Sequence, residues 1–147
     1  MIVRHLTDVE GTDADVAAET WRSRRLLLAR DGQSFSLHDT LLHAGTTTDM
    51  RYRHHVEAVY TIEGTGTLTD LTTGASYPLS PGTLYVLDGH EHHRVEATTD
   101  LRMICVFDPP VTGQEVHGVD GAYPLLRIDE ATGAVVDVTP EDEEARP

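Results

Sequence analysis

Around residue 38 polar and apolar side chains alternate. Ser34, Ser36, His38 and Thr40 fall on one face of an extended segment, and Phe35, Leu37 and Leu41 on the other. The same period of two recurs along the chain. In "HVEAVYTI" it groups His55, Glu57, Val59 and Thr61; in "TLYVL" it groups Thr83, Tyr85 and Leu87; in "LRMICVF" it groups Leu101, Met103, Cys105 and Phe107. "WRSRRLLLAR" reads as a further strand. "TLTDLTTGASYPLSPG" reads as a hairpin turning at "TTG" and closed by Pro81-Gly82. Strands of roughly five to eight residues, broken by Gly, Pro or Asp about every ten, predict an all-β sandwich or barrel with little helix.

The ends of the chain are less regular. "MIVRHL" predicts a short apolar strand, and "TDADVAAET" a helical turn or more. From Pro109 the Gly- and Pro-rich "PPVTGQEVHGVDGAYPLL" predicts a long ordered loop or flap over residues 109–126, and loops of that length are often functional. The pattern places one domain in residues 1–138. Residues 139–147, "TPEDEEARP" without its apolar anchors, read as an acidic, disordered tail.

Composition narrows the function classes. The formal net charge is −14, from 25 acidic residues against 11 Lys+Arg. Such a field repels phosphate backbones, so no nucleic-acid partner is expected. No apolar run approaches the ~20 residues of a membrane helix, and the N-terminus carries no signal core. A cytoplasmic protein that does not enter membranes is therefore expected. The lone Cys105 permits no intrachain disulfide and sits in an apolar run, as a buried small side chain would.

Two features ask for a chemical explanation. Glu57 sits on the inward parity of a strongly apolar strand, where a carboxylate is costly unless it is paired or ligates a metal. "DGHEHHRV" crowds His90, His92 and His93 at a strand end; alternation turns His93 inward and His92 outward, and leaves His90 at the turn. The bland readings are an ion pair to Arg53 for Glu57, a satisfied core hydroxyl for Tyr85, and a solvated turn for the histidines.

Glu57 followed by Gly64, then Pro81-Gly82 and a histidine cluster, resembles the two motifs of the cupin superfamily, a double-stranded β-helix barrel of jelly-roll type that usually holds a divalent metal. The first motif departs from the common pattern. Its paired histidines are replaced by Met50 and Tyr52 or Arg51 and Arg53, and His54 and His55 stand too close to Glu57, so the usual three-His, one-Glu site cannot assemble. The departure has its own likeness. "RYRHHVEAVYTIEGTG", "PGTLYVLDGHEHH", "CVFDPPVTGQEVH" and "DGAYPLL", with "MIVR", "WRSRRLLLARDG" and "FSLHDT", resemble the ectoine synthases, a divergent cupin family, over residues 1–126. Thr61 stands where many relatives have cysteine, Met50 where histidine is common, and Gly89 where a polar residue precedes the cluster.

The resemblance implies Fe(II) on Glu57, Tyr85 and His93, other divalent metals being possible on the same ligands. It implies substrate contacts from Trp21, Ser23, Thr40, Tyr52, Cys105, Phe107 and Glu115, and proton handling by Glu115, His55 and His117. Its reaction is a ring closure. The α-amine of N-γ-acetyl-L-2,4-diaminobutyrate attacks the acetamide carbonyl, and loss of water leaves the compatible solute ectoine, the work of a carbon–oxygen hydro-lyase. The metal would act as a Lewis acid, and Glu115 would grip the α-ammonium. Relatives form dimers, and the N-terminal strand could pair across two subunits of a homodimer. Two other classes stay open at this point: a different metal-dependent cupin, such as a dioxygenase or isomerase, and a non-enzymatic small-molecule-binding cupin.

Overall fold

On the third strand the usual rule of apolar inside and polar outside is inverted. In the computed structural model, which describes residues 1–119 and 121–138, Ser36 and His38 are fully buried, whereas Leu37 and Leu41 lie on the outer face, half-buried. The acidic tail expected at 139–147 lies outside the described residues.

The chain runs β1 (Asp15–Ala17), β2 (Trp21–Leu27), β3 (Ser36–Leu42), β4 (Thr47–Met50), β5 (Val56–Glu63), β6 (Gly66–Asp70), β7 (Ser76–Leu79), β8 (Leu84–Leu87), β9 (His93–Ala97), β10 (Leu101–Asp108), β11 (Leu126–Ile128) and β12 (Val135–Asp137). Short 3-10 turns at Leu6–Asp8 and Ala29–Asp31 supply the helix that is described. Two antiparallel sheets face each other, one ordered β1-β2-β3-β10-β5-β8 and the other β4-β9-β6-β7, with β11 and β12 as a separate hairpin. This is the all-β jelly-roll architecture that the alternation predicts.

Register decides which side chains meet. Reading from β2 to β8, one inner rung carries Arg25, His38, Cys105, Val59 and Tyr85; the next carries Ser36, Phe107, Glu57 and Leu87, from β3 to β8. Toward the opposite end, Leu42, Leu68, Leu79, Val95, Ala97 and Leu101 pack as an apolar core. One end of the barrel is thus sealed with hydrocarbon, and polar groups collect nearer the other. At the sealed end Gly64 turns the chain from β5 into β6 with φ +87°, and a Cβ there would stand 1.9 Å from the Asp100 carbonyl oxygen. Glycine satisfies both demands.

Three expectations change. Residues 1–5 form no strand among the described residues, and Met1 and Val3 are exposed; the segment is tied to β2 and the turn after it through the Arg4 side chain, on the Leu26 carbonyl and the Asp31 carboxylate, and not through its backbone. The stretch read as helical instead supplies β1, because pairing Asp15 with Arg24 and bonding its carboxylate to the Arg22 guanidinium outweighs the weak helix preference of the alanines. The third change lies beyond the flap, where the β11–β12 hairpin was not foreseen.

Candidate active site

Strands β2, β3, β5, β8 and β10 and the flap enclose a small, mostly apolar cavity with a few polar groups in its wall. Trp21, Ser23 and Thr40 wall it on the β2–β3 side, Glu57 and Tyr85 on the β5–β8 side, Cys105 and Phe107 from β10 between them, and Tyr52 and His117 at its rim. Its free volume is about 30 Å³, room for a water molecule or two.

Glu57 is buried beside the Cys105 thiol, and Cys105 also bonds to the Thr40 side chain. Burial pushes the Glu57 carboxyl up to about 8, partly offset by the hydrogen bond from Cys105. Burial, then the charge of Glu57, lift the Tyr85 phenol well above its ordinary value. His93 donates from Nδ1 to the Glu91 carbonyl at 3.1 Å, which leaves Nε2 as a bare acceptor; that atom is buried and has no partner. An imidazole held this way is preorganised as a metal ligand.

These three groups fit a divalent cation as a donor set. A positive charge would lower both the carboxyl and the phenol and would partner the bare imidazole nitrogen. Among the described residues no three His, Cys, Asp or Glu side chains come together as a metal site. A cation held by three side chains here would therefore need the phenol. Tyr85 is the joint in this arrangement, since it borders both the main cavity and a neighbouring groove lined by His93.

The flap closes the cavity with aromatic rings. Tyr52 Oη lies 2.8 Å from His117 Nε2. His117 stacks on Tyr123 at 4.5 Å and meets the edge of Trp21 at 5.3 Å. Burial, with the nearby charge of Arg25, drives His117 down to about 4, so it is neutral at pH 7. His90 adopts φ +56° and donates from Nδ1 to the carbonyls of Tyr52 (2.8 Å) and His55 (3.2 Å), fixing the segment that carries both.

The structure gathers all the residues expected in the site except His55, His93 and Glu115 around the main cavity. His93 borders the adjoining groove. His55 sits behind Phe107, at 6.0 Å between ring centroids, and its Nδ1 donates to the Pro109 carbonyl. Glu115 corrects the role expected for it. Its carboxylate accepts from the Thr112 amide (2.7 Å), the Thr112 hydroxyl (2.9 Å) and the Gly113 amide (2.9 Å), so it braces its own loop and does not line the cavity.

Sequence reasoning missed Arg25, His38 and Tyr123. Arg25 is buried and donates to the carbonyls of Gly113 (2.7 Å) and Glu115 (2.8 Å), tying β2 to the flap. The inward parity shared by Ser23 and Arg25, and by His38 and Thr40, was the available signal.

Comparison with known proteins resolves the family. The sequence profile described as ectoine synthase matches residues 1–127. The chain belongs to the ectoine synthase family. It is 59% identical over 124 residues to the L-ectoine synthase of Mycobacterium sp. (strain KMS), covering 84% of this chain and 96% of that one. Among solved structures, ectoine synthase from P. lautus superposes with a TM-score of 0.78 at 50% identity, over 90% of this chain and 96% of that one. A Cupin_2 domain of an XRE family transcriptional regulator from Enterobacter cloacae shares the fold alone, with a TM-score of 0.53, 14% identity, and coverage of 63% of this chain and 99% of that one. The ectoine synthase relationship thus spans both sheets and the flap as far as β11.

Proposed function

We propose that this ectoine synthase family member cyclises N-γ-acetyl-L-2,4-diaminobutyrate to ectoine, an intramolecular condensation with loss of water that makes it a carbon–oxygen hydro-lyase dependent on Fe(II). The observation that carries the reading is the set of groups gathered at Tyr85: a buried carboxyl with no cation beside it among the described residues, a phenol, and an imidazole whose buried nitrogen has no partner among them. Glu57, Tyr85 and His93 would hold the ion, which when bound supplies Lewis-acid polarisation of the acetamide carbonyl.

The chain's own residues do the rest. Trp21, Thr40 and Phe107 form a narrow wall that favours a curled substrate, bringing the α-amine against the carbonyl carbon. Ser23 lies on that wall too. His117, neutral at pH 7, stands at the rim, and Tyr52 fixes its ring. Glu115 and Arg25 hold the loop that carries His117, and His55 backs Phe107 from behind. Closure of the flap excludes water, which opposes dehydration.

A homodimer fits the outer surface. Tyr60, Leu84 and Val86 expose apolar area on the outer face of the larger sheet, β8 has a free edge, and Met1 and Val3 are uncovered. Light scattering after size exclusion would read a mass twice that of the 16.2 kDa chain.

The deciding experiment is turnover. Protein purified without oxygen, stripped by chelator and reloaded with Fe(II), is given N-γ-acetyl-L-2,4-diaminobutyrate, and ectoine is followed by chromatography. Ectoine formed only after reloading supports the reading. Metal bound with no ectoine formed overturns it.

A further inference from the structure

His38 is fully buried in the cavity wall, and its Nε2 has no hydrogen-bond partner among the described residues. The ring is fixed: Nδ1 lies 3.3 Å from Ser23 Oγ, and Phe107 packs against it with ring centroids 5.0 Å apart. When the Ser23 hydroxyl donates to Nδ1, the imidazole carries its proton on Nε2, an N–H donor with nothing among the described residues to donate to. A buried polar group left this way is costly, which makes it a natural contact for whatever fills the cavity.

The electrostatics choose the ligand group. His38 pairs in register with Arg25 on β2, while the carboxyl of Glu57 stands on the far side of β10. Arg25 does not line the cavity; its guanidinium is held by the carbonyls of Gly113 and Glu115. That charge and burial both disfavour protonation of His38, so the ring is a neutral donor standing in a positive potential. The substrate offers an ammonium, a neutral acetamide and a carboxylate. The first is repelled there, and the last is attracted by the field and matched by the N–H.

We infer that His38 is a further substrate-binding residue, which receives the α-carboxylate of the substrate on Nε2–H opposite Glu57 and Tyr85; this rests on the condensation reading. Arg25 acts on the same group through its field, and Ser23 sets the tautomer that makes the donor available.

The test compares two variants and two substrates. His38→Gln keeps an N–H at similar reach, and His38→Leu keeps only the volume. The substrates are N-γ-acetyl-L-2,4-diaminobutyrate and its decarboxylated analogue, N-acetyl-1,3-diaminopropane, with binding followed by calorimetry alongside turnover. His38→Leu should weaken binding and raise KM for the full substrate by about 10- to 100-fold while changing the analogue by no more than about twofold, and His38→Gln should recover most of the loss. Equal losses on both substrates, or no loss on either, would overturn the inference. Thermal melts report whether each variant folds; should His38→Leu not fold, wild type titrated with each substrate decides instead: an imidazole nitrogen signal, assigned by its loss in His38→Gln, that shifts with the full substrate and not with the analogue supports the inference, and one that shifts with neither overturns it. Wild-type protein that makes no ectoine overturns the reaction reading, and this inference with it.

Discussion

The phenol oxygen of Tyr52 and Nε2 of His117 meet at 2.8 Å, and this contact joins the barrel rim to the flap. Tyr52→Phe keeps the ring packing against Phe107 and Tyr123 and removes the bond to His117 together with the weak one to Met50 Sδ at 3.5 Å. The closed complex should become less populated. The expected result is a fall in kcat of about tenfold, with faster hydrogen exchange at the Gly118 and Gly121 amides that bond within the flap turn.

Arg25 and Glu115 brace the same loop from its two sides. Arg25→Met leaves the Gly113 and Glu115 carbonyls without their buried donor and should destabilise the fold by about 2–4 kcal/mol in denaturant titrations. Glu115→Ala should retain the metal, read by elemental analysis, and lose most turnover. A rate near wild type would show that the brace Glu115 gives its loop is dispensable for the reaction.

Gly64 is held by space as well as by φ. A methyl group at position 64 collides with the Asp100 carbonyl, so Gly64→Ala should cost about 3 kcal/mol or more. The loss should appear as a lower denaturation midpoint with an unchanged slope.

Stability should depend on pH on the acid side through buried histidines. Burial holds His117 at about 4 and His38 well below its ordinary 6.5 in the folded state. Between 6.5 and about 4 the unfolded chain therefore binds more protons than the folded one, and stability falls as pH falls. Each histidine contributes a slope of up to about 1.4 kcal/mol per pH unit in that window, and Glu57, held at about 8 by burial, contributes one of opposite sign down to about 4.5, so the two histidines together outweigh it. Denaturant midpoints measured from pH 7 to 4 check this, and the slope should shrink in His38→Gln.

Much of this molecule was legible in its alternation. The inward parity of Glu57, Tyr85, Cys105 and Phe107 followed from a period of two, and the register then placed them on adjoining rungs. The fate of residues 1–5 was not legible, because an apolar run records a need for a neighbour without saying where the neighbour is. The part played by Arg25 was equally hidden, since it depends on carbonyls about 90 residues away. The β11–β12 hairpin did leave a trace. "DEATGA" repeats the form of "DLTTGA", the turn between β6 and β7. In each, an aspartate, Asp70 or Asp129, accepts from the threonine three residues on, and its carbonyl receives the glycine amide after that. Two hairpins share one turn chemistry, and the second could have been read from the first.

The cavity of about 30 Å³ has a thermodynamic consequence. A substrate of the proposed size enters only molecules whose flap has opened, so the dissociation constant measured in bulk is the intrinsic one divided by the open fraction. Every ring contact that secures Tyr52, His117 and Tyr123 against one another lowers that fraction. Selection for a dry, closed reaction chamber and selection for tight apparent binding therefore act on the same few contacts in opposite directions.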